Sequence, residues 1–111
     1  MAHRPLPNVM RTLRHPPIEE ITLSAVLHAL SDPLRLCVVR ALAEKGELPC
    51  GTFCMKAAKS TMSHHFKVLR ECGLITMRSV GTSCYNSLRR DELDARFPGL
   101  LDAVLRAEGP L

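Results

Sequence analysis

The stretch KSTMSHHFKVLRECGLI, residues 59–75, gathers hydroxyl, imidazole and ammonium groups around a single acid, Glu71. Wound as a helix at about 100° per residue, it puts Met62, Phe66 and Leu69 on one side and Ser60, Ser63, His64 and Lys67 on the other. Thr61 and Arg70 flank the polar side. Short hydroxyls at a helix N-terminus approach a phosphate closely, where the helix dipole adds a weak positive potential. The longer donors His64 and Lys67 have the reach to touch base edges in a major groove. The pattern therefore predicts a nucleic-acid-binding face.

Downstream, LITMRSVGTSCYNSLRR reads as two β-prone runs around Gly81-Thr82, a hairpin with its tip near Val80 to Ser83. Arg78 near a strand end, with Thr82 and Ser83 at the tip, suits contacts to the DNA backbone or minor groove, which fix register without reading sequence. Charge agrees with this. Between Cys54 and Arg90 lie seven basic residues and one acid, whereas the whole chain carries only +4. A field concentrated in this way suits a polyanion.

Cys50 and Cys54 form a second candidate site. Their C-x-x-x-C spacing is one that a helical turn would bring together, and soft thiolates suit As(III), Cd(II), Pb(II) or Zn(II). A third ligand is needed, from Cys37, from His3 or His15, or from a partner chain. The other reading makes the two cysteines small hydrophobes packed beside Phe53. Cys37, Cys72 and Cys84 read as packing residues. His64 and His65 point about 100° apart, so they do not grip one ion together, and His65 reads as a hydrogen-bonded core histidine.

The elements that hold these groups follow from punctuation and periodicity. Residues 1–17 hold four of the eight prolines and read as an extended N-terminal arm. Residues 18–108 form the DNA-binding and dimerisation domain. A short amphipathic helix carries Leu23, Val26, Leu27 and Leu30. The next runs from the Asp32 cap and Pro33 to Gly46, apolar on two faces and therefore central. Pro49 and Gly51 interrupt ELPCGTFCMKAA, leaving at most a turn or two between Thr52 and Ala57. Ser60 is the expected cap and Gly73 the stop of the basic helix. A final helix starts with Asp91 as cap and bends or restarts at Pro98 and Gly99.

A chain of 111 residues supports one modest core, 46% of its residues are hydrophobic, and Trp is absent. With no apolar stretch near the roughly 18 residues of a membrane span, no secretory signal and an odd number of cysteines, a cytoplasmic protein with reduced thiols is expected.

The segments LHALSDPLRLCVVRALAEKGEL, STMSHHFKVLRECGLI and RSVGTSCYNSL, in this order, resemble the ArsR/SmtB family of bacterial winged-helix repressors. The likeness spans roughly residues 23–90. It implies a mainly α fold with a β-hairpin wing, a winged helix-turn-helix, and a homodimer on a two-fold double-stranded DNA operator. The chain then regulates transcription, as a repressor, and responds to a metal, metalloid or thiol-reactive signal. The resemblance implies pairing through the first and last helices, at Leu23, Val26 and Leu27 and along an apolar stripe of Leu100, Leu101, Val104 and Leu105, whose other reading is core packing within one subunit. Cys50 and Cys54 lie where arsenic- and cadmium-sensing members place thiolates, and would hold a thiophilic ion there, although the family's Cys-Val-Cys triplet is absent. The family's other metal site needs a histidine on the last helix, which offers Asp94, Asp102 and Glu108 but no imidazole. The segment before the basic helix is also about two residues shorter than the family pattern. Two other classes compete: a small thiol-redox protein using Cys50 or Cys54, which lacks a C-x-x-C pair, and a basic protein-interaction module.

Overall fold

The structure is a computed structural model that describes residues 14–52 and 58–107. Among the described residues, five α-helices and three strands follow one another: α1 (Leu23–Leu30), α2 (Pro33–Lys45), β1 (Leu48–Pro49), α3 (Lys59–Glu71), β2 (Ile75–Val80), β3 (Ser83–Leu88), α4 (Arg90–Arg96) and α5 (Leu100–Arg106). Single 3-10 turns at Ile18–Glu20 and Cys50–Thr52 precede α1 and follow β1.

Local chemistry sets each boundary. Thr22 caps α1 by accepting from the Ala25 N–H at 3.3 Å. At α2, Asp32 Oδ1 accepts from the N–H groups of Leu34 at 2.8 Å and Arg35 at 3.2 Å, and Pro33 occupies the first helical position. Burial works against ionisation of Asp32, but these two N–H bonds together with the positive charge nearby, Arg35 included, hold the carboxyl below its usual range. The cap of α3 is Ala58, which has no side-chain cap bond, so Ser60 sits inside the first turn instead of ahead of it. Arg89 likewise precedes α4, leaving Asp91 in the first turn, where an acid still favours the dipole. α4 and α5 form the expected restarted helix, broken at Phe97–Gly99.

The sheet is antiparallel with strand order β1-β3-β2. Gly81, at φ +61°, makes the two-residue turn of the hairpin, closed by the Val80–Ser83 pair. β1 pairs Leu48 with Asn86 and Pro49 with Tyr85, a third strand that the sequence did not signal. Proline fits there because β1 is an edge strand. On the opposite edge, His15 Nε2 accepts from the Met77 N–H at 3.0 Å, and Pro16 O accepts from Arg89 Nη1 at 2.8 Å. The end of the N-terminal arm thus covers part of an otherwise open strand. Its first thirteen residues, and the turn expected between Thr52 and Ala57 beyond its start, lie outside the described residues.

The core is aliphatic, as the scarcity of aromatics requires. Val26 and Ala29 from α1, Val38, Val39 and Leu42 from α2, and Met62, Phe66 and Leu69 from α3 meet Leu74 and Ile75 at the start of the wing, with Leu93 and Leu101 beneath. The buried stripe of α3 leaves its opposite face outward.

Candidate nucleic-acid interface

Along α3 the described side chains divide cleanly. Ser60, Thr61, Ser63, His64 and Lys67 are exposed, while Met62, His65, Phe66 and Leu69 are buried. His64 and His65 therefore face different ways. Lys59, also exposed and in the first turn, extends the polar face by one residue that the sequence reading passed over. Its place at the head of the basic cluster was the available signal.

A buried polar joint fixes the tilt of this helix. Arg35 on α2 is 7% exposed and donates from Nε to the Ala29 carbonyl at 2.7 Å and from Nη2 to the His28 carbonyl at 3.3 Å. It thereby supplies a donor to the Ala29 carbonyl at the end of α1 and a further one to the His28 carbonyl, which also accepts from the Ser31 N–H at 3.2 Å and Oγ at 2.6 Å. Its Nη1 lies 3.2 Å from His65 Nδ1. A guanidinium only donates, so Nδ1 is the acceptor and Nε2 carries the ring proton. One side chain thus ties α1, α2 and α3 together at the back of the polar face. The core histidine was legible in the sequence, but its arginine partner was not.

The wing differs from expectation at its cations. Arg78 forks onto Glu47, with Nε–Oε2 at 2.9 Å and Nη2–Oε1 at 2.7 Å, and its guanidinium lies 4.9 Å from the Tyr85 ring centroid. This hydrogen bond holds the Glu47 carboxyl below its usual range and raises Arg78 further. Arg78 is therefore paired with Glu47 at the surface, its side chain still 57% exposed. Arg70, expected to flank the polar face, is half-buried against β2, its Nη1 3.5 Å from Met77 Sδ. Thr82 and Ser83 are exposed at the tip, where the hairpin reading put them.

The second candidate site also changes shape. Cys54 lies outside the described residues. Cys50 Sγ accepts from Asn86 Nδ2 at 3.2 Å, and its thiol neighbour is Cys84 on β3, a residue read from the sequence as simple packing. Two thiols beside an amide fall short of a three-ligand cage, and no group of three His, Cys, Asp or Glu poised for a metal occurs among the described residues. His15, named as a third ligand, is bonded to the Met77 N–H. On the last helices, Asp94 and Asp102 both pair with Arg90.

Of the residues expected at a dimer seam, Leu23 and Leu27 stand on one face of α1, each 46% exposed. Leu100, Val104 and Leu105 are half-buried on α5. Val26 and Leu101 are 0% and 1% exposed, so both belong to the core of the single chain. The helical stripe that marked them points inward first.

Three helices, a hairpin and an outward hydroxyl, imidazole and ammonium face define a winged helix-turn-helix. A family model described as a helix-turn-helix domain matches residues 30–78. The transcriptional regulator YceK of Bacillus subtilis is 42% identical over 82 residues, spanning 71% of this chain and 82% of its own length. The arsenical resistance operon repressor of the same organism is 30% identical over 83 residues, spanning 73% of this chain and 79% of its own. A solved structure described as a possible transcriptional regulator for arsenical resistance superposes with a TM-score of 0.60 at 31% identity, covering 74% of this chain and 84% of that one. The chain belongs to the ArsR/SmtB family of winged helix-turn-helix transcriptional regulators, which are DNA-binding proteins. No helix among the described residues is long and apolar enough to cross a membrane.

Proposed function

We propose that the chain is a homodimeric repressor that seats α3 in the major groove of a two-fold operator. The observation that carries this is the division of α3 into a buried Met62-His65-Phe66-Leu69 back and an exposed Ser60-Thr61-Ser63-His64-Lys67 front. In this reading the three hydroxyl residues contact phosphate, and His64 and Lys67 reach base edges. Thr82 and Ser83 rest on the adjacent backbone. Repression is supported by what the arsenical resistance relative is named for.

The test is a gel shift on duplexes selected from a random pool by the full-length protein, repeated across a salt series. Affinity falls steeply as salt rises. Lys67→Ala weakens binding to the selected duplex by about 1–3 kcal/mol while sparing scrambled duplex, because a lost base contact costs discrimination. Equal weakening on all sequences would instead assign Lys67 to phosphate. Salt-insensitive binding, or none, would refute the reading.

Two-fold pairing is supported by Leu23 and Leu27, two large apolar side chains four residues apart with no cover on α1. Sedimentation should give twice the chain mass of 12.3 kDa. The variant Leu23→Lys, Leu27→Lys should sediment as a monomer and lose most operator affinity. A dimer that survives both lysines would place the seam elsewhere.

A further inference from the structure

Cys50 and Cys84 meet at the end of the β1/β3 ladder. The ladder pairs Leu48 with Asn86 and Pro49 with Tyr85, so its next step sets Cys50 opposite Cys84. Cys50 opens the 3-10 turn one residue past the last ladder pair, and a disulfide spans Cα separations of about 4.4–6.8 Å, close to those of directly opposed antiparallel residues. Asn86 Nδ2, on the same strand as Cys84, donates to Cys50 Sγ at 3.2 Å, and the neighbouring Cys50 helps to raise the Cys84 thiol. Both cysteines are free and half-buried, within reach of a small oxidant.

We infer that Cys50 and Cys84 are a peroxide-oxidisable pair whose disulfide staples the segment leading to α3 onto the wing and lowers operator affinity. The oxidant class is a hydroperoxide. The Cys50 thiolate attacks the distal peroxide oxygen, the O–O bond breaks, and Cys50 becomes a sulfenic acid while an alcohol departs. The Cys84 sulfur then attacks the Cys50 sulfur, the S–O bond breaks, and water leaves with the thiol proton. Two thiols lose two electrons in all, and the hydroperoxide is reduced to alcohol and water.

The order of attack follows from the environment. Burial first, then the neighbouring Cys50, push the Cys84 thiol up to about 12, so Cys84 is assigned the resolving role. Cys72 does not compete. It is buried, donates to the Leu69 carbonyl at 3.3 Å, and its thiol is raised by the same burial.

The consequence for DNA rests on the function proposed above. A disulfide requires sulfurs about 2 Å apart, closer than any hydrogen-bonded thiol pair, so the ladder end must tighten. Cys84 adjoins Ser83 at the wing tip, and Cys50 begins the turn that leads toward α3. Closing the pair therefore pulls Cys84, and with it the wing tip, against the Cys50–Thr52 turn.

The experiment treats reduced full-length protein with tert-butyl hydroperoxide, maps cross-linked peptides by mass spectrometry, and measures affinity for the selected duplex. The expected result is a Cys50–Cys84 linkage and an affinity drop of roughly tenfold or more, reversed by dithiothreitol. Cys50→Ser and Cys84→Ser abolish both effects, and Cys37→Ser abolishes neither. Linkage of Cys50 to another cysteine, no linkage at all, or a Cys50–Cys84 linkage that leaves affinity unchanged would overturn the inference. Failure of the reduced protein to bind any duplex would sink the DNA-binding reading instead, while the peptide map still decides the cross-link.

Discussion

Arg35→Ala is expected to destabilise the fold by about 3 kcal/mol, because it strands two buried acceptors at once. The Ala29 residue whose carbonyl accepts from Arg35 Nε is fully buried, and without the guanidinium that carbonyl has lost its 2.7 Å donor. His65 Nδ1 loses its donor too, while the His28 carbonyl loses a third donor and keeps the Ser31 N–H at 3.2 Å and Oγ at 2.6 Å. Each stranded acceptor costs about 1–3 kcal/mol, and the deleted stem leaves a void whose walls relax only partly. Arg35→Lys should recover less than half of the loss, since one ammonium cannot cover three diverging acceptors. Chemical denaturation of the two variants beside a His65→Ala protein checks this. The double-mutant cycle should return a coupling of about 1–2 kcal/mol between Arg35 and His65. Independent losses would mean that the joint does not tie α2 to α3.

Gly73→Ala is the second large effect, again about 3 kcal/mol. Gly73 turns the chain from α3 into the wing at φ +94°, a conformation in which a Cβ costs about 1–2 kcal/mol. The added carbon would also lie 2.5 Å from Cδ1 and Cγ1 of Ile21, a side chain only 1% exposed and so poorly able to retreat. Overpacking of this kind adds about 1–3 kcal/mol. The melting temperature should fall by roughly 10–15 °C. Ile21→Val removes Cδ1 and should cost about 1 kcal/mol in the parent protein but less, or nothing, in the Gly73→Ala background. Simple additivity would show that the Cδ1 contact contributes nothing to the damage.

These two sites also mark what could be read from the sequence and what could not. The helix α2 was legible because Asp32, Pro33 and Gly46 are local signals, and the hairpin because Gly81-Thr82 interrupts two β-prone runs. The polar front of α3 was legible because helical periodicity sorts its residues before any tertiary contact forms. Arg35 was not, since a lone arginine in an amphipathic helix reads as surface, and its partners lie six, seven and thirty residues away. The same distance effect hid the Glu47–Arg78 pair, thirty-one residues apart, and with it the fact that the wing arginine is occupied. Strand β1 escaped because two residues, one a proline, carry no alternation, and without β1 no register could set Cys50 against Cys84. Val26 and Leu101 show the limit of an apolar stripe, which marks a buried face without saying whether the same chain or a second one buries it.

The central claim is that the outward face of α3 meets nucleic acid. Its most direct test is the affinity of the charge-reversed variant Ser63→Glu, Lys67→Glu for the selected duplex at fixed salt, measured beside its thermal melting. Both side chains are exposed, so melting should stay within a few degrees of the parent. Two carboxylates set against phosphates should lower affinity by roughly a hundredfold or more. Parent-like affinity in a folded variant would contradict the account.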